Sequence, residues 1–211
     1  MAEMRTEEET VQAIKDWWKK NGSSLLIGVG AALAIVFGWQ AWQNHQMQQR
    51  TEAASQFAEL INAYSDETDE NRADTVAYVA ENLREEYSDS AFAVYGMLML
   101  ARQQVMDQGD PEGAIESLTW AQEKAGESGA LAMVIRNRLA RAQFAAEQYE
   151  EALATIEGTD NTGSFGAIFT ELKGDILLAQ GNREGAREVN QQGRSGILEL
   201  KLSDLGVEEG A

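Results

Sequence analysis

From Leu25 to Trp42 the chain reads LLIGVGAALAIVFGWQAW, in which Gln40 is the only strongly polar side chain. Asp, Glu, Lys and Arg are absent between Lys20 and Arg50. At about 1.5 Å per residue this stretch makes roughly 27 Å of helix, close to the ~30 Å hydrocarbon core of a bilayer. A helix closes its own backbone hydrogen bonds, so it can cross lipid. Its strongly apolar residues contribute roughly −2 to −5 kcal/mol to insertion, and one central Arg would cost about 2.5–3.5 kcal/mol. The pattern predicts one transmembrane helix over residues 23–43. Trp17 and Trp18 precede the stretch and Trp39 and Trp42 end it, as expected of indole rings at the two headgroup levels. Gly30, Ala34 and Gly38 recur every fourth residue and predict a face where another membrane helix approaches closely.

The flanks predict an orientation. Lys15, Lys19 and Lys20 lie just before the span and only Arg50 lies just after it, which places residues 1–22 in the cytoplasm and the rest across the membrane. Cleavage of a signal peptide at Ala32-Leu33-Ala34 is the competing reading and would release a soluble repeat protein. Apolar residues continue through Ile35, Val36 and Phe37, and the lead-in is long and carries acids, which favours a retained anchor. Within residues 1–22, Thr6 and Glu9 have capping-box spacing, and Val11, Ile14 and Trp18 share a helical face. We expect a short amphipathic helix on the inner membrane surface, leaving it at Asn21-Gly22.

Beyond Trp42 the apolar period stays helical. Ala53, Phe57, Leu60, Ile61 and Tyr64 form one stripe; Val76, Val79, Ala80, Leu83 and Tyr87 form the next, after an acidic loop, SDETDEN. Sustained alternation is missing, so little sheet is expected. From residue 90 a repeat emerges in QGDPEGAIESL (108–118), EQYEEALATI (147–156) and QGNREGARE (180–188). Aligning Ala114, Ala152 and Ala186 spaces the units at about 34–38 residues, the period of tetratricopeptide helix pairs. Gly109 and Gly181 suit helix-ending turns, Asp110 and Asn182 suit N-caps, and Pro111 suits a first helical position. The middle unit lacks the turn glycine. Leu98, Leu118, Leu139, Leu153 and Leu177 are the expected core. A single unit cannot bury its apolar face alone, so the units must stack. GILELKLSDLG (196–206) is read as a terminal cap.

The expected fold is therefore all-α, a single N-terminal transmembrane helix followed by a tetratricopeptide-like helical solenoid. Its parts are a tail (1–22), the span (23–43), a helical linker with the first helix pair (44–89), and repeats with a cap (90–211). First helices of the units should line a concave, partner-binding face containing Met99, Gln103, Met106, Asn137, Arg141, Phe144, Glu171 and Asp175.

Composition narrows the chemistry. Of 211 residues none is Cys and one, His45, is His, so thiolate catalysis, disulfides and Cys/His metal centres are not expected. The formal charge of −18 argues against binding a nucleic-acid backbone. Phosphate-binding loops and hydrolase or metalloprotease motifs are absent. No catalytic residue, metal or cofactor is expected. Arg138 and Arg141 share a face and could clamp a carboxylate, or answer neighbouring acids.

Five segments, WWKKNGSSLLIGVGAAL (17–33), GWQAWQNHQ (38–46), NRLARAQF (137–144), GDILLAQGNREGAR (174–187) and LELKLSDL (198–205), in this order, resemble the YfgM family of ancillary SecYEG translocon subunits. The resemblance implies a bacterial inner-membrane protein with a cytoplasmic tail and a periplasmic repeat domain. It implies, as partners, the SecYEG translocon, a PpiD-like membrane-anchored periplasmic chaperone and nascent secretory polypeptides. It also implies a link between the tail and a cytoplasmic regulator of envelope stress. On the residues alone, a membrane-anchored scaffold for another cell-envelope assembly complex is the alternative.

Overall fold

The computed structural model describes residues 7–66, 68–157 and 165–191. Among them the chain is helical, with no strand. The helices are α1 (Glu7–Ser65), α2 (Arg72–Glu86), α3 (Ala91–Gln103), α4 (Pro111–Ala125), α5 (Ala130–Ala145), α6 (Tyr149–Thr155), α7 (Gly166–Ala179) and α8 (183–191). A π-helical turn, Gln104–Gln108, extends α3. The chain divides into two units, Met1–Thr51 and Glu52–Ala211.

The described residues of the first unit belong to α1, a helix of 59 residues. The exit expected at Asn21-Gly22 is therefore corrected: the helix does not end there. Two local ties explain its continuity. The Asn21 side-chain amide donates to the Trp17 carbonyl at 3.1 Å. The Trp18 indole lies along the next turn, where a Cβ on Gly22 would stand 3.2 Å from the ring. Thr6, half of the expected capping box, lies outside the described residues, as does the 196–206 cap.

In the second unit each helix packs on the next: α2 on α3, α3 on α4, α4 on α5, then α5 and α6 with α7. One core gathers Leu60 of α1, Leu83 of α2, Met97 of α3, Leu118 of α4 and Ile135 of α5. A second gathers Ala152, Phe169, Leu172 and Ile176. Each such large side chain, wholly buried, contributes about 1.5–3 kcal/mol by its removal from water. Gly96 allows α3 to approach its neighbours, since a Cβ there would meet Leu83 and Leu60 at 3.2–3.3 Å. Two expectations shift: Ile61 turns outward, 43% exposed, and Leu153 and Leu177 are half-buried.

The repeat is visible as equivalent atoms. Gly109, Glu147 and Gly181 end the first helices of three units with φ of 64°, 60° and 81°. Five residues later, Ala114, Ala152 and Ala186 are fully buried, as close helix packing requires. The expected caps form: Asp110 accepts from the Gly113 N–H and Asn182 from the Gly185 N–H, both at 3.0 Å. The middle unit lacks both devices. Its turn uses Glu147 in the left-handed region, and Gln148 makes no side-chain cap.

A further repeat element had no signal in the apolar pattern. The Ser117 hydroxyl of α4 donates to Gln104 Oε1 at 2.9 Å, and the Thr155 hydroxyl of α6 donates to Gln143 Oε1 at 2.7 Å. Ser117 and Thr155 occupy the same place, eight residues after the turn residue. The backbone carbonyls of these glutamines also close the turns, accepting from the Asp110 and Gln148 N–H groups at 2.8 and 2.9 Å. In the first unit that closing bond spans one residue more, which the π turn absorbs. In the third unit Leu177 supplies the closing carbonyl, at 2.9 Å from the Asn182 nitrogen.

Candidate interaction surfaces

The apolar stretch of α1 is long and apolar enough to cross a membrane. Among the described residues of its unit nothing shields it: Leu26, Ile27, Ile35 and Phe37 are among its exposed side chains, Ile35 at 72%. Apolar groups facing outward on every side of a helix need an apolar solvent. Trp17, Trp18, Trp39 and Trp42 are about half exposed. Trp39 and Trp42 pair with ring centroids 5.1 Å apart. Gly30 and Gly38 have open space where a Cβ would stand, and Ala34 is exposed between them.

The eight residues expected on a concave face separate. Met106, Arg141, Glu171 and Asp175 are exposed. Met99 packs half-buried against the first core, and Phe144 against the second, its ring 5.9 Å from that of Tyr149. Gln103 is 0% exposed and Asn137 9%, so the expectation of open surface is corrected at these two. The reason for Gln103 is that α3 lies between α2 and α4, which leaves little of its circumference free. Asn137 faces inward but is tied to the surface: its Oδ1 accepts from Arg141 Nε at 3.1 Å. Sequence reasoning passed over Tyr95 of α3, exposed beside Phe57, and Arg102, whose guanidinium stands 5.9 Å over the Tyr64 ring.

Charges around these helices are fixed locally. Arg72 pairs with Asp107 and joins the start of α2 to the π turn. Arg84 lies between Glu81 of α2 and Glu116 of α4, at 2.6 and 3.8 Å. Burial pushes the Glu81 carboxyl above its ordinary range, with Arg84 opposing and Glu85 and Glu116 adding to the rise. In the acidic loop, hydroxyl and N–H donation from Thr68 holds Asp66 below the usual carboxylate range. Among the described residues no cluster of His, Cys, Asp and Glu is arranged to hold a metal ion. The exposed groups suit contact between macromolecules through helix faces.

Comparison with known proteins gives this arrangement a family. A family model described as a tetratricopeptide repeat-like domain matches residues 15–207. A protein of Haemophilus influenzae named ancillary SecYEG translocon subunit is 29% identical over 97% of this chain and 100% of its own length. One of the same name from Escherichia coli is 27% identical over 95% of this chain and 97% of its own. Another, from Neisseria gonorrhoeae, is 27% identical over 97% and 100%. The match runs from the lysine-rich turn before the apolar stretch through all three turn-and-alanine units, so the chain belongs to the tetratricopeptide repeat-like domain family.

Proposed function

We propose that this chain is a single-pass inner-membrane protein and a non-enzymatic ancillary subunit of the Sec translocon. The observation that carries the reading is similarity over nearly the whole length to proteins named for that role, anchor and repeats together. Residues 1–22 lie in the cytoplasm, as the lysines before the span favour, and the repeat domain lies in the periplasm. Tethering raises the domain's local concentration near the channel exit, so modest contacts suffice. There it receives emerging polypeptides and passes them to a PpiD-like membrane-anchored chaperone. The tail carries a secondary link to a cytoplasmic regulator of envelope stress. The face used for clients includes the exposed Met106 and Arg141; Met side chains adapt to varied apolar partners. Gly30, Ala34 and Gly38 supply the contact to a neighbouring membrane helix.

Purification of the full chain in mild detergent tests the reading. Translocon subunits and the chaperone should co-purify, and replacing the α1 apolar stretch with an unrelated span should weaken their recovery. Recovering neither partner would reject it.

A further inference from the structure

The aromatic pair that ends the apolar stretch of α1 leads into a polar segment unlike the rest of the chain. Asp and Glu make up 35 of the 211 residues, yet none occurs between Asp16 and Glu52. The apolar stretch accounts for that gap only as far as Trp42. Residues 43–50 read QNHQMQQR, with amides where the chain elsewhere carries carboxylates, and their one formal charge at pH 7 is Arg50.

These residues are sorted around the helix. Trp39, Trp42, Gln43, Gln46 and Arg50 follow at i, i+3, i+4, i+7 and i+11, which places them on one face within about 100° of arc. All five are exposed. The two indoles stand together at the base of this face, ring centroids 5.1 Å apart. Asn44 and Gln48 lie on the other side of the helix.

Rise sets their depth. Indole rings settle at the headgroup level, and headgroups add roughly 5–7 Å to each side of the hydrocarbon core. Gln43 and Gln46 stand about 1.5 and 6 Å beyond Trp42, and Arg50 about 12 Å. Helical side chains lean toward the N-terminus, which here is the direction of the apolar stretch. Arg50 therefore lies back over the turn of Gln46, and Gln46 over the turn of Trp42 and Gln43. The long arginine stem brings its charge down toward the same layer.

The face is rich in donors: indole N–H, amide NH2 and guanidinium groups. Among the described residues Arg50 forms no ion pair. Glu52, the next acid along the chain, accepts from the Tyr87 hydroxyl at 3.4 Å. An anionic oxygen at headgroup depth is what this face lacks.

We propose that Trp42, Gln43, Gln46 and Arg50 form a binding site for the phosphate of an anionic phospholipid. Arg50 takes two phosphate oxygens through its planar fork, and the two glutamine amides donate to the same group. The Trp39–Trp42 pair lies against the glycerol and the upper acyl chain. The lack of acids near this layer spares the lipid phosphates a like-charge repulsion. The inference rests on α1 spanning a bilayer and names the lipid chemistry that its end selects.

The test uses the full chain in mild detergent, carrying Lys15→Gln, Lys19→Gln and Lys20→Gln so that the basic turn at the other end of the apolar stretch does not report. Native mass spectrometry counts bound dioleoyl phosphatidylglycerol, with dioleoylglycerol, which lacks the phosphate, as the control. Phosphatidylglycerol should bind about fivefold more tightly. Arg50→Gln should remove most of that preference, and Arg50→Lys, which keeps a point charge, should retain part of it. Gln46→Ala should weaken it about twofold, and Asn44→Ala, on the other side, should leave it unchanged. Circular dichroism of each variant separates lost contact from lost helix. Equal binding of the two lipids, unaltered binding by the Arg50→Gln chain, or displacement of the lipid by inorganic phosphate would each overturn the proposal. Carbonate extraction checks the span separately. A chain that resists extraction yet shows no lipid preference would overturn this proposal alone, and Arg50→Gln should still co-purify with the translocon.

Discussion

The three turn positions that precede the buried alanines make opposite predictions from one geometry. Gly109, Glu147 and Gly181 all adopt the left-handed region, φ 64°, 60° and 81°. An L-residue there costs about 1–2 kcal/mol, because its Cβ crowds the following carbonyl. Glycine escapes that cost but loses about 0.5–1 kcal/mol more conformational entropy on folding. The difference favours glycine by roughly 0.5–1 kcal/mol at each site. Glu147→Gly should therefore stabilise the repeat domain by about that amount, and Gly109→Ala and Gly181→Ala should destabilise it similarly. For a domain of this size that is a shift of about 1–4 °C in Tm, up for the first and down for the others. Glu147→Ala is the decisive control. It removes the same charge from an acidic domain but keeps a Cβ in the left-handed turn, so the backbone term is the gap between the Gly and Ala variants. Thermal unfolding of the full chain in micelles, followed by circular dichroism, measures it. If the Gly and Ala variants at position 147 melt together, the argument from turn geometry is refuted.

The polar tie between unit helices gives a second expectation. Ser117→Ala removes the donor to Gln104 Oε1 at a site 3% exposed and should cost about 1–2 kcal/mol in urea unfolding; a neutral result would show that water replaces the bond. The Glu81 carboxyl predicts a pH dependence. Because its pKa is raised by burial in the folded state, the native chain binds more protons than the unfolded one, and this contribution to stability is lost as pH rises from the ordinary Glu range through the raised value. Glu81→Gln should flatten that part of the stability curve relative to wild type; parallel curves would remove the assignment. For the anchor, alkaline phosphatase fused after Ala211 should be active and the chain should resist carbonate extraction. Ile35→Arg should impair insertion, at a cost of about 2.5–3.5 kcal/mol. A cytosolic reporter would reverse the orientation.

Much of the fold was legible because the signals were local and periodic. The charge gap between Lys20 and Arg50 marks the apolar helix unaided. Ala114, Ala152 and Ala186 mark the repeat because a close helix crossing admits only small side chains, and all three are buried. Asp110 and Asn182 announce their caps through chemistry that acts over three residues. What stayed hidden depends on tertiary partners. The burial of Gln103 follows from α3 lying between two neighbours, which its own periodicity does not reveal. Asn21-Gly22 reads as a stop, but the Trp18 ring over Gly22 and the Asn21 bond to Trp17 keep the helix intact. Of the candidate surface, the exposure of Arg141 and Met106 follows from the repeat register. The place of Arg102 over the Tyr64 ring, and the reach of Arg138 to the Leu98 carbonyl, depend on neighbouring helices that their own periodicity does not name.

The π turn at Gln104–Gln108 bears on how the domain tolerates changes in length. Its surplus residue lies between the core of α3 and a turn whose closing hydrogen bond, glutamine tie and buried alanine match those of the next unit. Deleting one residue there would restore ordinary α-helical winding and leave those three features in phase. The same deletion in the middle of α3 would rotate every buried position behind it by about 100°. The segment is thus a built-in slack point, where the chain can gain or lose a residue without the stack losing register.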